Sequence, residues 1–129
     1  MDKSKRIEFI VSNLEKVGVL ADIGTDHGYV PLLAIKNGLC EKAIACDINK
    51  EPLGKGKLNA ILEGVDDKID FRLGNGFEPL EVNEADETVI AGMGGNLIRD
   101  ILEKDIEKSS SCNYLVLVPA QNPEVLREY

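Results

Sequence analysis

Leu20-Ala21-Asp22-Ile23-Gly24-Thr25-Asp26-His27-Gly28-Tyr29-Val30-Pro31 decides how the rest of the chain is read. Val19, Leu20, Ala21 and Ile23 make an apolar run of strand length, and Gly24 and Gly28 bracket a tight loop. Pro31 falls in the first turn of the helix that follows, where its missing N–H costs nothing. Strand, glycine loop and helix in this order bring backbone close to a nucleotide. Asp26 stands where a dinucleotide fingerprint wants glycine. A carboxylate there repels a pyrophosphate and suits a ligand carrying ammonium and sulfonium charge.

The remaining chain supplies the setting for that loop. Its 129 residues, 43% of them hydrophobic, make one domain over 1–129 with enough apolar side chains for a core. No apolar run approaches the roughly 20 residues of a membrane span, and Met1-Asp2-Lys3-Ser4-Lys5-Arg6 lacks a signal-peptide core. Cys40, Cys46 and Cys112 are odd in number and lack metal-ligand spacing, which reads as free thiols in a reducing cytoplasm and no metal site. The net charge of −8 works against a nucleic-acid partner but leaves room for a local basic patch.

Outward from the opening stretch, apolar periodicity predicts the other elements. Ile7, Ile10, Val11, Leu14 and Val17 predict an amphipathic helix over about 4–16. A short helix runs from Pro31 to Asn37, with Gly38 as its stop. Ala43 to Cys46 is a second strand carrying Asp47 at its end. Leu53, Leu58, Ile61 and Leu62 mark a helix loosened by Gly54 and Gly56 and ended by Gly64. Ile69 to Leu73 and Thr88 to Ala91 are the third and fourth strands. Asn96 caps a helix with a buried stripe of Leu97, Ile98, Ile101, Leu102 and Ile106. A Ser109-Ser110-Ser111 turn leads to a fifth strand, Tyr114 to Val118, which Pro119 ends. Asn122-Pro123-Glu124 begins one more helix, so the ending reads as that of a truncated domain. Alternating strands and helices imply an α/β fold: a doubly wound, mainly parallel sheet of five strands with helices on both faces.

In such sheets ligands bind beyond the C-terminal strand ends. Four of those ends carry polar or glycine-rich loops here, and their coincidence says more than any single loop. Asp22, Gly24, Asp26, His27 and Gly28 follow the first strand. Asp47, with Ile48 beside it, follows the second, 19 positions after Gly28 and close to the spacing of a ribose-binding acid. Asn75 and Gly76 follow the third, where an amide meets an adenine amine and a glycine admits the base; Asn-Gly is equally a common turn. Gly92-Met93-Gly94-Gly95 follows the fourth. It lacks the Lys-Ser/Thr of a phosphate loop and instead admits a flat substrate or the methionine end of a cofactor. The cofactor that suits these charges is S-adenosylmethionine. His27, Met93 and Gly94 are the candidate catalytic positions. For His27 a structural hydrogen bond at the helix entry competes with a general-base role. Tyr29 reads as a packing residue at the loop rim.

Together these residues resemble a known family. Ala21 to Pro31 (ADIGTDHGYVP), Asp47, Gly74 to Gly76 (GNG) and Ala91 to Ile98 (AGMGGNLI), with the Ser4-Lys5-Arg6 opening, resemble the bacterial TrmK-type tRNA adenine-N1 methyltransferases. The resemblance covers nearly the whole chain. It implies a Rossmann-like class I methyltransferase that uses S-adenosylmethionine to methylate N1 of adenine 22 in the D-arm of tRNA. It implies donor-loop roles for Asp22, Gly24, Asp26 and His27, a ribose role for Asp47, and adenine contacts at Asn75 and Gly76. The loop from Gly92 to Gly95 then lies beside the transfer site. Asn75 departs from the family's usual Asp and Asp47 from its more frequent Glu. Pro119-Ala120-Gln121-Asn122 only loosely echoes the family's Gln-Pro-Asn. The family's further strands and its C-terminal helical extension, which helps hold tRNA, have no counterpart in these 129 residues. Two other classes compete: a nicotinamide-dependent dehydrogenase, disfavoured by Asp26 and the glycine spacing, and a non-catalytic nucleotide-binding or interaction module.

Overall fold

The computed structural model describes residues 3–25 and 27–118, with side chains from Lys5 onward. The expectations placed on Asp26, Pro119 and Asn122 to Glu124 lie outside the described residues. The elements are α1 (Lys3–Ser12), β1 (Val17–Ile23), α2 (Tyr29–Lys36), β2 (Cys40–Asp47), α3 (Lys50–Leu62), β3 (Ile69–Leu73), β4 (Glu87–Ala91), α4 (Gly95–Lys104), α5 (Ile106–Ser111) and β5 (Tyr114–Val118). A single 3-10 turn, Asp66–Lys68, leads into β3.

The five strands form one sheet in the order β3-β2-β1-β4-β5, and every neighbouring pair is parallel. The chain begins in the middle, steps outward to β3, then returns past β1 to build β4 and β5. Strand order therefore reverses between β1 and β4, which creates the crevice where doubly wound sheets bind ligands. Side chains alternate between the two faces because the strand period is two. Leu20, Ala43, Ala45 and Val89 pack under α1 to α3 with Ile10, Leu14, Ala34 and Ala60. Ala21, Ile23, Ile44, Cys46 and Ile90 face the other way, against Phe77, Leu80, Ile98, Ile101 and Leu102.

Two glycines end helices as the sequence predicts. Gly38 (φ 71°) and Gly64 (φ 72°) both take the left-handed conformation. Leu39 N–H reaches Ala34 C=O at 2.9 Å and Val65 N–H reaches Ala60 C=O at 3.0 Å, the six-to-one bonds of a Schellman cap.

Elsewhere the boundaries move. The first helix stops at Ser12, because Ser12 Oγ and Asn13 Nδ2 donate to the Phe9 carbonyl at 2.7 and 2.8 Å. Val17 belongs to β1. Asn96 is not a cap: Gly94 occupies that position, and its carbonyl accepts Ile98 N–H at 3.0 Å. Asp105 (φ −122°, ψ 56°) breaks the predicted stripe, so Ile106 starts α5 and is exposed. The serine turn at 109–111 is helical instead, with Ser109 Oγ donating to the Leu102 carbonyl at 3.0 Å and so tying α5 to α4. In α3 the buried residues are Leu53, Gly56 and Ala60, while Leu58, Ile61 and Leu62 are exposed.

Two charged groups hold loops to the sheet. The Arg72 guanidinium makes paired 2.7 Å hydrogen bonds to both Glu84 carboxylate oxygens and a third, at 2.9 Å, to the Pro79 carbonyl. This clamps the crossing from β3 to β4, and the ion pair holds the Glu84 carboxyl below its usual range. Glu87 is buried, with both oxygens accepting Glu15 N–H at 3.1 and 3.2 Å. Burial raises its pKa. The fold therefore favours the protonated form, and that stability is lost as pH rises through the folded-state pKa. Glu87→Gln keeps an acceptor for Glu15 and removes the charge. Its melting temperature is expected to match wild type near pH 4 and to exceed it increasingly toward pH 7, as thermal denaturation at several pH values will show.

Candidate functional site

The loops that follow β1 to β4 start from fixed registers, because each prolongs the hydrogen-bond ladder of its neighbour. The amides of Gly24 and Thr25 both donate to the Cys46 carbonyl at 2.9 Å. Gly74 N–H donates to the Asp47 carbonyl at 2.9 Å, and Gly92 N–H to the Val118 carbonyl at 3.0 Å. The four loops are thereby gathered along the C-terminal edge of the sheet, on either side of the switch between β1 and β4.

Asp22 lies on the α1 face of β1, buried, with one oxygen accepting Thr25 Oγ at 3.0 Å. It sets the turn into the loop, as the sequence allows. Gly24 (φ 72°) owes its place to its backbone, and its neighbour is the mobile end of the Met93 side chain. Its backbone is left-handed, and a Cβ would stand 2.5 Å from Met93 Cε. Gly28 (φ 75°) packs on α3, where its Cβ would come within 3.3 Å of Gly56 Cα. Gly56 is equally tight: a Cβ there would meet Phe71 Cε1 at 2.8 Å and the His27 carbonyl at 3.3 Å. What reads in sequence as a loosened helix is a close-packed one, docked on the back of the loop.

The three candidate catalytic residues have different surroundings. His27 stands toward α3, its carbonyl accepting Asn59 Nδ2 at 3.3 Å and its ring centroid 5.7 Å from that of Tyr29. It borders a cleft with Asn49, Lys50, Pro52 and Lys55. Met93 lies across Gly24, on the face that packs against α4. Gly94 is the N-cap of α4.

Asp47 closes β2 with its side chain buried at 9% exposure, and its Oδ1 accepts Asn49 N–H at 3.0 Å. Ile48 beside it is exposed. Asn75 is exposed and its backbone is pinned by Glu78, whose carboxylate accepts Asn75 N–H at 3.0 Å. Gly76 (φ 58°) follows, packed over Ile101. The turn role of Asn-Gly is thus real, and the Asn75 carbonyl accepts Glu78 N–H at 3.1 Å to close it. Gly92 (φ 79°) opens the fourth loop; a Cβ there would stand 2.8 Å from the Arg6 guanidinium. Arg6 is a residue that sequence patterning missed as a site candidate.

This donor set fits S-adenosylmethionine better than a dinucleotide. Asp22 and Asp47 supply negative charge at two strand ends. Neither the described residues of the loop at 24–28 nor the loops at 74–76 and 92–95 hold any Lys or Arg for a pyrophosphate. The thiols take no part. Cys40 and Cys46 are buried, and burial pushes them up to about 11 and about 12, so they stay protonated. Among the described residues no group of His, Cys, Asp and Glu could hold a metal ion, and no helix is long and apolar enough to cross a membrane.

Comparison with known proteins agrees with this geometry. A family profile described as "Methyltransferase domain" matches residues 3–129. The tRNA (adenine(22)-N(1))-methyltransferase of Bacillus subtilis (strain 168) is 36% identical over 126 residues, covering 98% of this chain and 53% of that protein. The crystal structure of B. subtilis TrmK superposes with a TM-score of 0.86 at 35% identity, over 96% of this chain and 53% of that one. M. capricolum TrmK in complex with S-adenosyl-homocysteine gives a TM-score of 0.84 at 30% identity, over 95% and 54%. Sp1610 of Streptococcus pneumoniae in complex with S-adenosyl-L-methionine gives 0.90 at 34% identity, over 96% and 58%. The chain spans about half the length of the relatives it matches.

Proposed function

The chain belongs to the methyltransferase-domain family, and from that premise we propose that it binds S-adenosylmethionine and carries the donor half of a tRNA adenine-N1 methyltransferase acting at position 22. The observation that carries this reading is the convergence of Gly24, Asp47, Asn75-Gly76 and the loop from Gly92 to Gly95 at one edge of the sheet, with the carboxylates of Asp22 and Asp47 at two of its strand ends. The relatives add the substrate: the B. subtilis enzyme is named a tRNA m1A22 methyltransferase, and M. capricolum TrmK and Sp1610 hold the cofactor's product and the cofactor. A dinucleotide-dependent dehydrogenase is not favoured.

When bound, the cofactor supplies a methyl group activated by its sulfonium. The chain's residues bind and orient. Asp47 accepts hydrogen bonds from the ribose hydroxyls, Asn75 and Gly76 border the adenine, and Asp22 holds the turn that brings Gly24 backbone to the ligand. The loop from Gly92 to Gly95 borders the place of the target base. Adenine N1 carries an in-plane lone pair, so no side chain has to remove a proton before attack. Rate enhancement then rests on positioning, which supplies several kcal/mol. His27 need not act as a base, and its place toward α3 suits holding the loop. Extruding the adenine from its stack costs a few kcal/mol, offset by contacts to the tRNA. In this reading the enzyme works in the bacterial cytoplasm, where its substrate is.

Two measurements test the proposal. Calorimetry is expected to show S-adenosylhomocysteine binding to the 129-residue chain; a folded protein without affinity would overturn the cofactor assignment. Tritiated methyl transfer should appear with a tRNA carrying the D-arm adenine and vanish when it is replaced. It is measured both on this chain and on a version lengthened to the size of the relatives. Cofactor binding without transfer by either protein would return the chain to the class of non-catalytic binding modules.

A further inference from the structure

β3 is an edge strand, paired with β2 alone. Its ladder to β2 is prolonged by Gly74, whose N–H donates to the Asp47 carbonyl at 2.9 Å. Backbone direction alternates along a strand, so Asp70 and Arg72 also turn their N–H and C=O toward β2. Those of Ile69, Phe71 and Leu73 point outward, and no strand among the described residues meets them. Beside this open edge, Leu58, Ile61 and Leu62 of α3 are exposed. They stand at i, i+3 and i+4, on one face of the helix. Lys57 and Ile61 border a groove whose other wall is Ile69, Asp70 and Phe71 of β3, so the apolar helix face and the unpaired strand adjoin.

We propose that this edge is the interface with a second copy of the chain, the two β3 strands pairing antiparallel about a two-fold axis at Phe71. Ile69-Asp70-Phe71-Arg72-Leu73 is self-complementary in that register. Phe71 stands opposite its own counterpart, Ile69 opposite Leu73, and Asp70 opposite Arg72 on each side of the axis. The outward groups belong to Ile69, Phe71 and Leu73, so these become the hydrogen-bonded pairs. Asp70 and Arg72 then form the other kind of pair, in which side chains approach most closely. Moving the axis by one residue sets Asp70 against Asp70 or Arg72 against Arg72, and like charges directly opposite destabilise pairing. Charges on an edge strand guard it against unwanted partners; here they admit one register. Arg72 is already held in place by both Glu84 oxygens and by Asp70 at 2.9 Å. A two-fold axis perpendicular to the sheet keeps each face on its own side, so α3 comes against α3 and the two apolar faces cover one another. One operation thus satisfies both the unpaired backbone and the exposed helix face. The two C-terminal sheet edges then point in opposite directions, and the pairing is independent of what the crevice between β1 and β4 binds.

Sedimentation equilibrium of the 129-residue chain is expected to show a reversible monomer–dimer equilibrium, with dimer prominent at about 0.1 mM, as suits a small interface. Asp70→Lys sets like charges across both pairs and should raise the dissociation constant about tenfold. Leu62→Lys, on the helix face, should weaken the dimer as well. Asp70 and Leu62 are exposed, and Arg72 keeps Glu84 and the Pro79 carbonyl, so both variants fold; unchanged melting temperatures in dilute solution check this. Amide hydrogen exchange locates the contact. Protection of the Ile69, Phe71 and Leu73 N–H groups should rise with protein concentration in the wild type and fail to rise in Asp70→Lys. A wild-type chain that stays monomeric at about 0.1 mM would overturn the assignment and leave the edge to an unlike strand, such as an extended peptide. A dimer that both variants form as readily as the wild type would overturn it in favour of another surface, β5 at the opposite edge being the first to test. Loss of the dimer in Leu62→Lys alone, without protection on β3, would overturn the strand pairing in favour of a contact between helices.

Discussion

Asp47→Ala is expected to weaken S-adenosylhomocysteine about 30- to 100-fold in calorimetry, with little change in melting temperature. The side chain is held before any ligand arrives. Asp47 sits on the last residue of β2, its carbonyl accepts Gly74 N–H at 2.9 Å, and its Oδ1 accepts Asn49 N–H at 3.0 Å. Ligand binding therefore spends little on ordering it. Hydrogen bonds from neutral hydroxyls to a carboxylate are worth about 1.5–3 kcal/mol each. Losing two of them, with water replacing part of the interaction, gives the stated range. Asp47→Asn keeps one acceptor and gives up the charge, so a smaller loss of roughly five- to tenfold is expected. An alanine variant that binds as wild type does would remove Asp47 from the site and leave it the turn to Asn49 alone.

Gly56→Val is expected to destabilise the fold by about 3 kcal/mol, lowering the melting temperature by roughly 10 °C, and to weaken cofactor binding in the protein that remains folded. The reason is a three-way contact behind the donor loop. A Cβ on Gly56 would press on Phe71 of β3 at 2.8 Å and on the His27 carbonyl at 3.3 Å, while Gly28 meets Gly56 backbone. Only the Phe71 ring has freedom to yield, and it is itself packed. α3 would have to lift from the loop, moving His27 and Gly28 together. Gly54 is the control. Nothing lies within 4 Å of a Cβ placed there, so Gly54→Ala should raise stability by about 0.5–1 kcal/mol through helix propensity. If both substitutions proved equally harmless by thermal melting, the close docking of α3 on the loop would be refuted.

These two glycines show where reading the chain stopped being enough. Gly54 and Gly56 are the same residue type in the same helix, and local preference treats them alike. What separates them is the neighbour each meets, and those neighbours arrive from β3 and from the loop after β1. The apolar residues of α3 carry the same lesson. Leu53 is buried as its pattern suggests, yet Leu58, Ile61 and Leu62 are exposed and the seat of the helix is Gly56 and Ala60. Small residues let a helix approach a sheet closely, and apolarity alone does not reveal that. The division of α4 from α5 was hidden for another reason. Asp105 leaves helical backbone angles while the stripe from Leu97 to Ile106 keeps its period.

The sequence by itself determined the α/β class, the five strands, the glycine helix stops at Gly38 and Gly64, and the strand ends that carry Asp22, Gly24, Asp47, Asn75, Gly76 and Gly92. These features are local: hydrogen-bond periodicity, left-handed glycine turns and apolar runs are written within a few residues of where they act. Only the tertiary structure decided that His27 stands toward α3 while Met93 covers Gly24, that Gly56 is a docking surface, and that Arg6 lies against Gly92. Arg6 and Gly92 are distant in sequence, and neither the helix pattern around Ile7 and Ile10 nor the loop at Gly92 points to the other. Their meeting follows from the order in which the sheet closes. Placing β4 beside β1 brings the fourth loop under the helix that precedes the first strand.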